Sequence, residues 1–349
     1  MDVSEPSPPI LTNGHLRLRR CRHGIMLYNL NDTYLGTMLD LYGEYSESEA
    51  SMFGHFLKPG MTAVEVGANI GAHTLALAEL VGPRGRVLAF EPQRVVFQML
   101  CANLAVNGIE HVDAHWAAVG KASGEITAPR LPSTVRNNFG GLAVGGERGD
   151  AVRLVTLDSL ELPACDFLKV DVEGMEHDVI LGARDTIRRT RPTISLENDR
   201  EEKSAALIQL LWDLDYDCYW DIPRYVHVPN FRGNTENRFP TLSSFNLVCL
   251  PREKKLTLGG LHKVASIQES PPPFASMIHL TDVAELNSRG LKLHELERFD
   301  QAIAFFDRAL TLEPEPATTL LNRGKSLAAL QHQKSKLVRK PKRNNRKRN

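Results

Sequence analysis

The chain has 349 residues, 42% hydrophobic and 24% charged, proportions of an ordinary globular protein with room for one large domain or two smaller ones. Basic and acidic residues both number 42, but nine of the basic ones lie between Gln331 and Asn349, where there is no acid, so an acidic body is joined to a basic end. The five cysteines (Cys21, Cys101, Cys165, Cys218 and Cys249) form no CxxC pair, which argues against zinc and thiol-redox motifs and suits a reducing cytosol.

Residues 1–23 read as a loose, proline-containing segment with no apolar core of signal-peptide type, and no stretch approaches the roughly 18 apolar residues of a membrane span. A cytoplasmic location without membrane association is the expectation. From about Leu16 to Asp40, short apolar alternations predict strands or a small hairpin. Ser46 to Leu57 predicts a helix, with Ser46 as cap and Ala50, Phe53 and Leu57 on one face.

A regular alternation follows. Thr62–Val66 is an apolar strand leading through a glycine-rich turn into a helix that ends near Leu80. Arg86–Phe90 predicts a strand, Val95–Asn107 a helix and His111–Ala118 a strand. Gly140–Gly149 reads as a surface loop. Phe167–Val172 predicts a strand, Glu176–Thr190 a helix, Thr193–Glu197 a strand, Lys203–Leu214 a helix and Phe245–Leu250 a late strand. Strands alternating with helices imply an α/β domain, a doubly wound, mostly parallel sheet, over residues 24–251.

Residues 252–279 are polar and carry Pro271, Pro272 and Pro273, the composition of a linker. Over residues 280–330, Gly290, Leu293, Ala302, Phe306, Ala309 and Pro314 stand where a tetratricopeptide unit places small, apolar and helix-stopping residues. Arg289-Gly290 recurs 34 residues later as Arg323-Gly324, but Lys336 stands where the second unit needs a small residue. The expectation is a small α-helical repeat segment of one and a half repeats, completed by docking on the α/β domain, on a second copy or on a protein partner. A plain helical hairpin is the alternative. Residues 331–349 are expected to be a disordered basic tail, with nucleic-acid binding the disfavoured reading.

Three places carry chemistry. The first is the turn Glu65-Val66-Gly67-Ala68-Asn69-Ile70-Gly71 between a strand and a helix, where glycines permit close backbone approach to a ligand. Asn69 takes the place of the second glycine of a dinucleotide fingerprint, and Glu65 would repel a pyrophosphate, so a nicotinamide cofactor is disfavoured and a cationic one favoured. S-adenosylmethionine has that charge. The second is Glu91-Pro92, 24 residues after Gly67, where an acid at a strand end can bind ribose hydroxyls. The third is the run from Asp166 to Glu176, which places Asp171 and Glu173 at the carboxyl end of a strand and Lys169 within it. A buried Lys169–carboxylate pair serving only the fold is the plain reading of that charge.

Taken together, GEYSESE, KPGMTAVEVGANIGAHT, AFEP, VTLDSL and DFLKVDVEGMEHDVILGA resemble the FkbM family of methyltransferases in order and spacing, over about residues 24–200. The resemblance implies a class I, Rossmann-like methyltransferase fold, S-adenosylmethionine as cofactor and O-methylation. It implies that Glu65, Gly67, Ala68, Asn69 and Gly71 hold the methionine part, and Glu91 with Pro92 the ribose. Glu65 replaces the family's usual aspartate and keeps the carboxylate. The repeat-like segment lies outside the resemblance.

Methyl transfer to oxygen needs alignment and a proton acceptor. Asp171 and Glu173 are the catalytic candidates by position; His73, His177 and Glu197 are weaker ones. No His/Cys cluster calls for a transition metal, while Asp171 with Glu173 leaves Mg²⁺ open. The expected acceptor is a hydroxyl of a small molecule or glycan, such as a sugar or secondary metabolite. A non-catalytic cofactor-binding or repeat-based adaptor, and a nicotinamide oxidoreductase, are the rivals.

Overall fold

The computed structural model describes residues 8–269 apart from 147, 228, 240 and 241, then 271, 283–295, 299–312 and 317–338. Residues 1–7, 272–282 and 339–349, which hold parts of the expected loose start, linker and tail, lie outside the described residues. The chain divides into two compact units, Met1–Ser270 and Pro271–Asn349.

The first unit opens with an antiparallel sheet of β1 (Leu11–Asn13), β2 (Leu16–Cys21) and β3 (Gly24–Asn29), so much of the segment expected to be loose is strand. The region read as strands to Asp40 ends instead in a helix, α1 (Leu35–Leu41), which buries Leu35, Met38 and Leu39. Helix α2 (Glu47–Phe53) follows. Ser46 precedes it, but in a left-handed conformation (φ 44°), and no side-chain cap forms; its hydroxyl donates to Glu49 Oε2 at 3.3 Å.

The main sheet takes its strands in the order β14-β12-β13-β11-β10-β4-β5-β6. These are β4 (Thr62–Val66), β5 (Arg86–Phe90), β6 (Val112–His115), β10 (Phe167–Val170), β11 (Thr193–Glu197), β12 (Tyr216–Asp221), β13 (Asn246–Pro251) and β14 (His262–Lys263). From β6 to β11 all neighbours pair in parallel; β13, β12 and β14 continue the edge antiparallel. Helices α3 (Ala72–Val81), α4 (Arg94–Val106), α5 (Glu176–Leu181), α6 (Arg184–Thr190) and α7 (Glu201–Asp213) connect the strands. The helix expected over Glu176–Thr190 is thus two, parted at Gly182, where a Cβ would overlap the Gly120 carbonyl. A small sheet of β7 (Ala118–Val119), β9 (Asp150–Val155) and β8 (Gly124–Ala128) stands beside the end of β6.

Two linkages hold the site in place. Asn103 in the last turn of α4 and Asn107 just after its end pair with β3 as a strand would. The Asn103 side chain accepts from Leu27 N (2.6 Å) and donates to Leu27 O (3.1 Å), and Asn107 does the same with Ile25 (2.8 and 2.7 Å). Asn103 also donates to the Ile70 carbonyl at 2.8 Å, so one buried amide ties β3, α4 and the glycine-rich turn together. At the far edge, β14 pairs with β12, and Val264 is buried against the core. The sheet therefore reaches beyond residue 252, where a linker was expected to begin.

The second unit holds α8 (Val283–Glu295), α9 (Phe299–Leu312) and α10 (Ala317–Val338). Leu286, Leu293, Ala302, Phe305, Phe306 and Ala309 make its core. Helix α10 runs to Val338, past residue 331, so the start of the expected tail is helical.

Candidate active site

In chain order the sheet grows from β4 through β5 to β6 in one direction and from β10 to β11 in the other. The reversal falls between β4 and β10, and an open α/β sheet parts its loops there, at the carboxyl ends of those strands. A cleft opens at that point. Gly67 from the turn after β4, Glu91 and Pro92 from the end of β5, and Asp171 and Glu173 from the end of β10 all line it. Five residues picked from three separate stretches of sequence thus meet at one cavity.

Glu91 is buried and braces the turn. Its Oε2 accepts from Asn69 N (2.9 Å) and its Oε1 from Gln93 N (2.8 Å). Burial pushes its carboxyl up to about 7 against the lowering effect of those two amides. Asn69 adopts a left-handed φ of 50°, a conformation asparagine tolerates, and its own Oδ1 accepts from Ile70 N (2.8 Å). Asn69, Ala68 and Gly71 shape the turn but do not line the cleft.

Glu65 also stands outside the cleft lining. It is 1% exposed and accepts a 2.5 Å hydrogen bond from the Thr74 hydroxyl, with Lys169 Nζ 4.0 Å from its other oxygen. Lys169, 2% exposed, donates to Asp171 Oδ2 at 3.1 Å. Burial works against the ammonium, but Asp171, Glu49 and Glu65 more than offset it, and Lys169 is held charged. Burial in turn raises the carboxyls of Glu65 and Glu49 to about 7, with Lys169 pulling both down. The buried lysine–carboxylate pair that the sequence offered as an alternative to a functional role exists, and it anchors the candidate Asp171.

Glu173 has a left-handed φ of 52°, uncommon for a residue with a side chain. Arg200 Nη2 donates to its Oε2 at 2.6 Å, and Lys203 Nζ donates to the Gly174 carbonyl at 2.6 Å, so the start of α7 fixes this loop. Burial and then the charge of Asp171 push the Glu173 carboxyl up to about 7, against Arg200. Asp171 and Glu173 each already hold a cationic side chain. No group suited to a metal occurs among the described residues.

The weaker candidates separate. His73 is buried with its ring against Tyr45 and Phe53, and burial lowers its pKa well below the ordinary value, which makes it a packing residue. His177 lies on α5, half exposed, near Asp178 (3.8 Å), and does not line the cleft. Glu197 ends β11 beside Asp171, and burial first, then the acids around it, raise its carboxyl to about 10.

The sequence reading missed the rest of the lining. Ala117, Ala118 and Val119 form one apolar wall, Met175 joins Val172, and Gly140, Leu142 and Val144 enter from the loop between β8 and β9. Gln93 Nε2 donates to the Phe139 carbonyl at 2.7 Å and holds that loop on the cleft. Small apolar residues look alike in sequence whether they face a core or a ligand, and the loop has no periodicity, so only its glycines could have drawn notice.

Residues 65–218 match the family model described as the methyltransferase FkbM domain, and S-adenosylmethionine is the cofactor of such a domain. The AMB antimetabolite synthetase AmbE of Pseudomonas aeruginosa is 29% identical over 53% of this chain, and the alignment spans only 10% of that much longer protein. Among solved structures, the methyltransferase FkbM of Methylobacillus flagellatus has 19% identity and a TM-score of 0.36 over 55% of this chain and 43% of its own. Aeropyrum pernix fibrillarin, solved with natively bound S-adenosyl-L-methionine, has 11% identity and a TM-score of 0.36 over 70% of this chain and 98% of its own.

Proposed function

We propose that this chain transfers a methyl group from S-adenosylmethionine to a hydroxyl oxygen of a small molecule or glycan, such as a sugar or secondary metabolite. The observation that carries the reading is the convergence of Gly67, Glu91 and Asp171 on one cleft at the reversal point of the sheet. The lining suits the cofactor from end to end. Ala117, Ala118, Val119 and Leu142 offer apolar walls for a purine, Glu91 keeps carboxylate lone pairs for a ribose, and Gly67 presents bare backbone beside Asp171. Glu65 does not line the cleft; it offsets part of the Lys169 charge beside Asp171 and so keeps that end of the cleft from turning positive.

Bound there, S-adenosylmethionine supplies a methyl carbon activated by the sulfonium. The chain's own task is to align the acceptor and take its proton. Glu173 has a carboxyl held near 7, the range in which a general base works at neutral pH. Asp171, fixed by Lys169, serves better to orient the acceptor and to hold negative charge. The C-terminal helices, with Leu320 and Leu321 exposed on α10, would dock a protein partner or a second copy.

Calorimetry with S-adenosylhomocysteine, then a labelled-methyl screen against hydroxylated compounds, tests the reading. Glu91→Ala should weaken S-adenosylhomocysteine at least tenfold, about 1.4 kcal/mol. A folded Glu91→Ala chain that binds like the parent, or a parent that does not bind, would sink it.

A further inference from the structure

The polar residues at the carboxyl edge of the sheet continue past the cleft. Val170 pairs with Leu196, so Asp171 stands beside Glu197; Glu197 pairs with Asn246, and Asn246 with Asp221. Residues in register on neighbouring strands share a face and lie roughly 5 Å apart. The ledge therefore runs on from Asp171 through Glu197 to Asp221, roughly 10 Å beyond Glu197. It faces the α2 side: Glu49 feels the charges of Lys169, Asp171 and Asp221, and Tyr225 those of Asp171, Glu197 and Glu49. Tyr45 and Tyr225 border it with ring centroids 5.4 Å apart.

Acids outnumber cations on this ledge, and without a ligand cation their crowding, added to burial, keeps Glu197 protonated. Lys169 is engaged by Asp171 and Glu65, and Arg200 by Glu173 and Asp199. Glu197 and Asp221 have no ion pair among the described residues, and Glu49 only shares the charge of Lys169. Asp221 is 7% exposed, and among the described residues its Oδ2 has no hydrogen-bond partner; neither has Glu197 Oε2. A buried carboxylate oxygen without a donor is costly, and a ligand that donates to it recovers that cost. The donor that suits several carboxylates and two tyrosine rings is an ammonium group.

We propose that the ledge from Glu197 to Asp221 is the acceptor subsite and that it takes the ammonium group of an amino-bearing hydroxyl compound. The inference rests on the methyltransferase reading and narrows its acceptor: the hydroxyl lies at Asp171 and Glu173, and the amine lies beyond it toward β12. A neutral polyol would leave Glu197 protonated, whereas an ammonium favours its carboxylate form and donates to Asp221 Oδ2.

The test uses the full chain saturated with S-adenosylhomocysteine and an isosteric probe pair, ethanolamine and ethane-1,2-diol, at pH 7.5, with binding read by ligand-observed NMR. Ethanolamine should bind at least tenfold more tightly. Ethanolamine is too short to reach Asp171 as well, so it reports the ammonium seat between Glu197 and Asp221 alone; Asp221→Asn and Glu197→Gln should each abolish that preference while leaving S-adenosylhomocysteine affinity unchanged, with thermal melts identifying a variant that has not folded. Equal binding of the two probes, no detectable binding of ethanolamine, or a preference that survives in both variants overturns the proposal. So does chelator-reversible displacement of ethanolamine by MgCl₂ alone, which would make the ledge a metal site. A parent that takes S-adenosylhomocysteine but shows no amine preference sinks this proposal alone; one that does not take S-adenosylhomocysteine sinks the methyltransferase reading as well.

Discussion

Gly67 packs so closely against the backbone carbonyl of Asp171 that a Cβ on Gly67 would overlap its oxygen. The glycine that opens the turn after β4 and the acid that ends β10 are thus parts of one joint. From sequence, the bareness of Gly67 looks like room for a cofactor. In the structure it is first a condition for two central strands to end side by side.

Gly67→Ala should therefore fail through the fold. Left-handed strain and the overlap together should cost roughly 3 kcal/mol or more. Gly60→Ala is the control: Gly60 also has a positive φ (93°), but a Cβ there meets nothing within 4 Å. It should cost only the strain, about 1–2 kcal/mol. Urea unfolding measures both, and equal losses would show that the Asp171 contact is immaterial.

Glu173 and Arg200 give a prediction about pH. With the Glu173 carboxyl near 7, kcat should rise with pH through that value as the base loses its proton. Arg200 favours the carboxylate, so Arg200→Ala should move this limb to higher pH. Glu173→Gln should lose about 10²–10⁴ in turnover and keep S-adenosylhomocysteine affinity. A limb unmoved by Arg200→Ala would assign it to another group.

The N-terminal half of the first unit was largely legible in sequence, because β4, β5 and the turn between them carry their signals locally. Val64 and Val66 alternate with Glu65, and the glycines mark where the backbone turns. The small sheet of β7, β8 and β9 was not read, since its pairings join residues up to 36 apart through a loop without periodicity. Helix α1 was hidden for a similar reason: its seven residues are too few for a period to show, and tertiary burial of Met38 and Leu39 stabilises it. Asp171 and Glu173 could be picked by position. Their fixed partners, Lys169 and Arg200, depend on side-chain geometry, and Arg200 arrives from a helix start 27 residues away.

Buried acids near Lys169 should set the pH dependence of stability. Burial raises the folded pKa of Glu49 to about 7, above its ordinary 4.5, so between those values the folded chain holds a proton that the unfolded chain has released. Glu49's contribution is greatest below about 4.5 and is lost as pH rises through about 7. The stability lost across that window should be about 3 kcal/mol for this group. Glu49→Gln should flatten that part of the curve and be more stable than the parent at pH 8. Parallel curves for parent and variant from pH 5 to 8 would refute the assignment.

The recurring Arg-Gly pair of the second unit separates two environments that the sequence treats alike. Gly290, inside α8, lies against Phe306 of α9, and a Cβ there would come within 2.5 Å of the ring. Phe306 is fully buried, so the ring has little room to yield. Gly324, inside α10, has nothing among the described residues within 4 Å of its Cβ position. Gly290→Ala should therefore destabilise the unit by roughly 1–3 kcal/mol through overpacking. Gly324→Ala should stabilise it by up to about 1 kcal/mol, because alanine favours a helix interior and meets no obstruction. Differential scanning calorimetry of the full chain, following the transition that shifts in these two variants alone, reads both effects. If a partner or second copy covers α10 as a following repeat would, the sign at Gly324 reverses in its presence, because the added methyl then meets the surface that docks there.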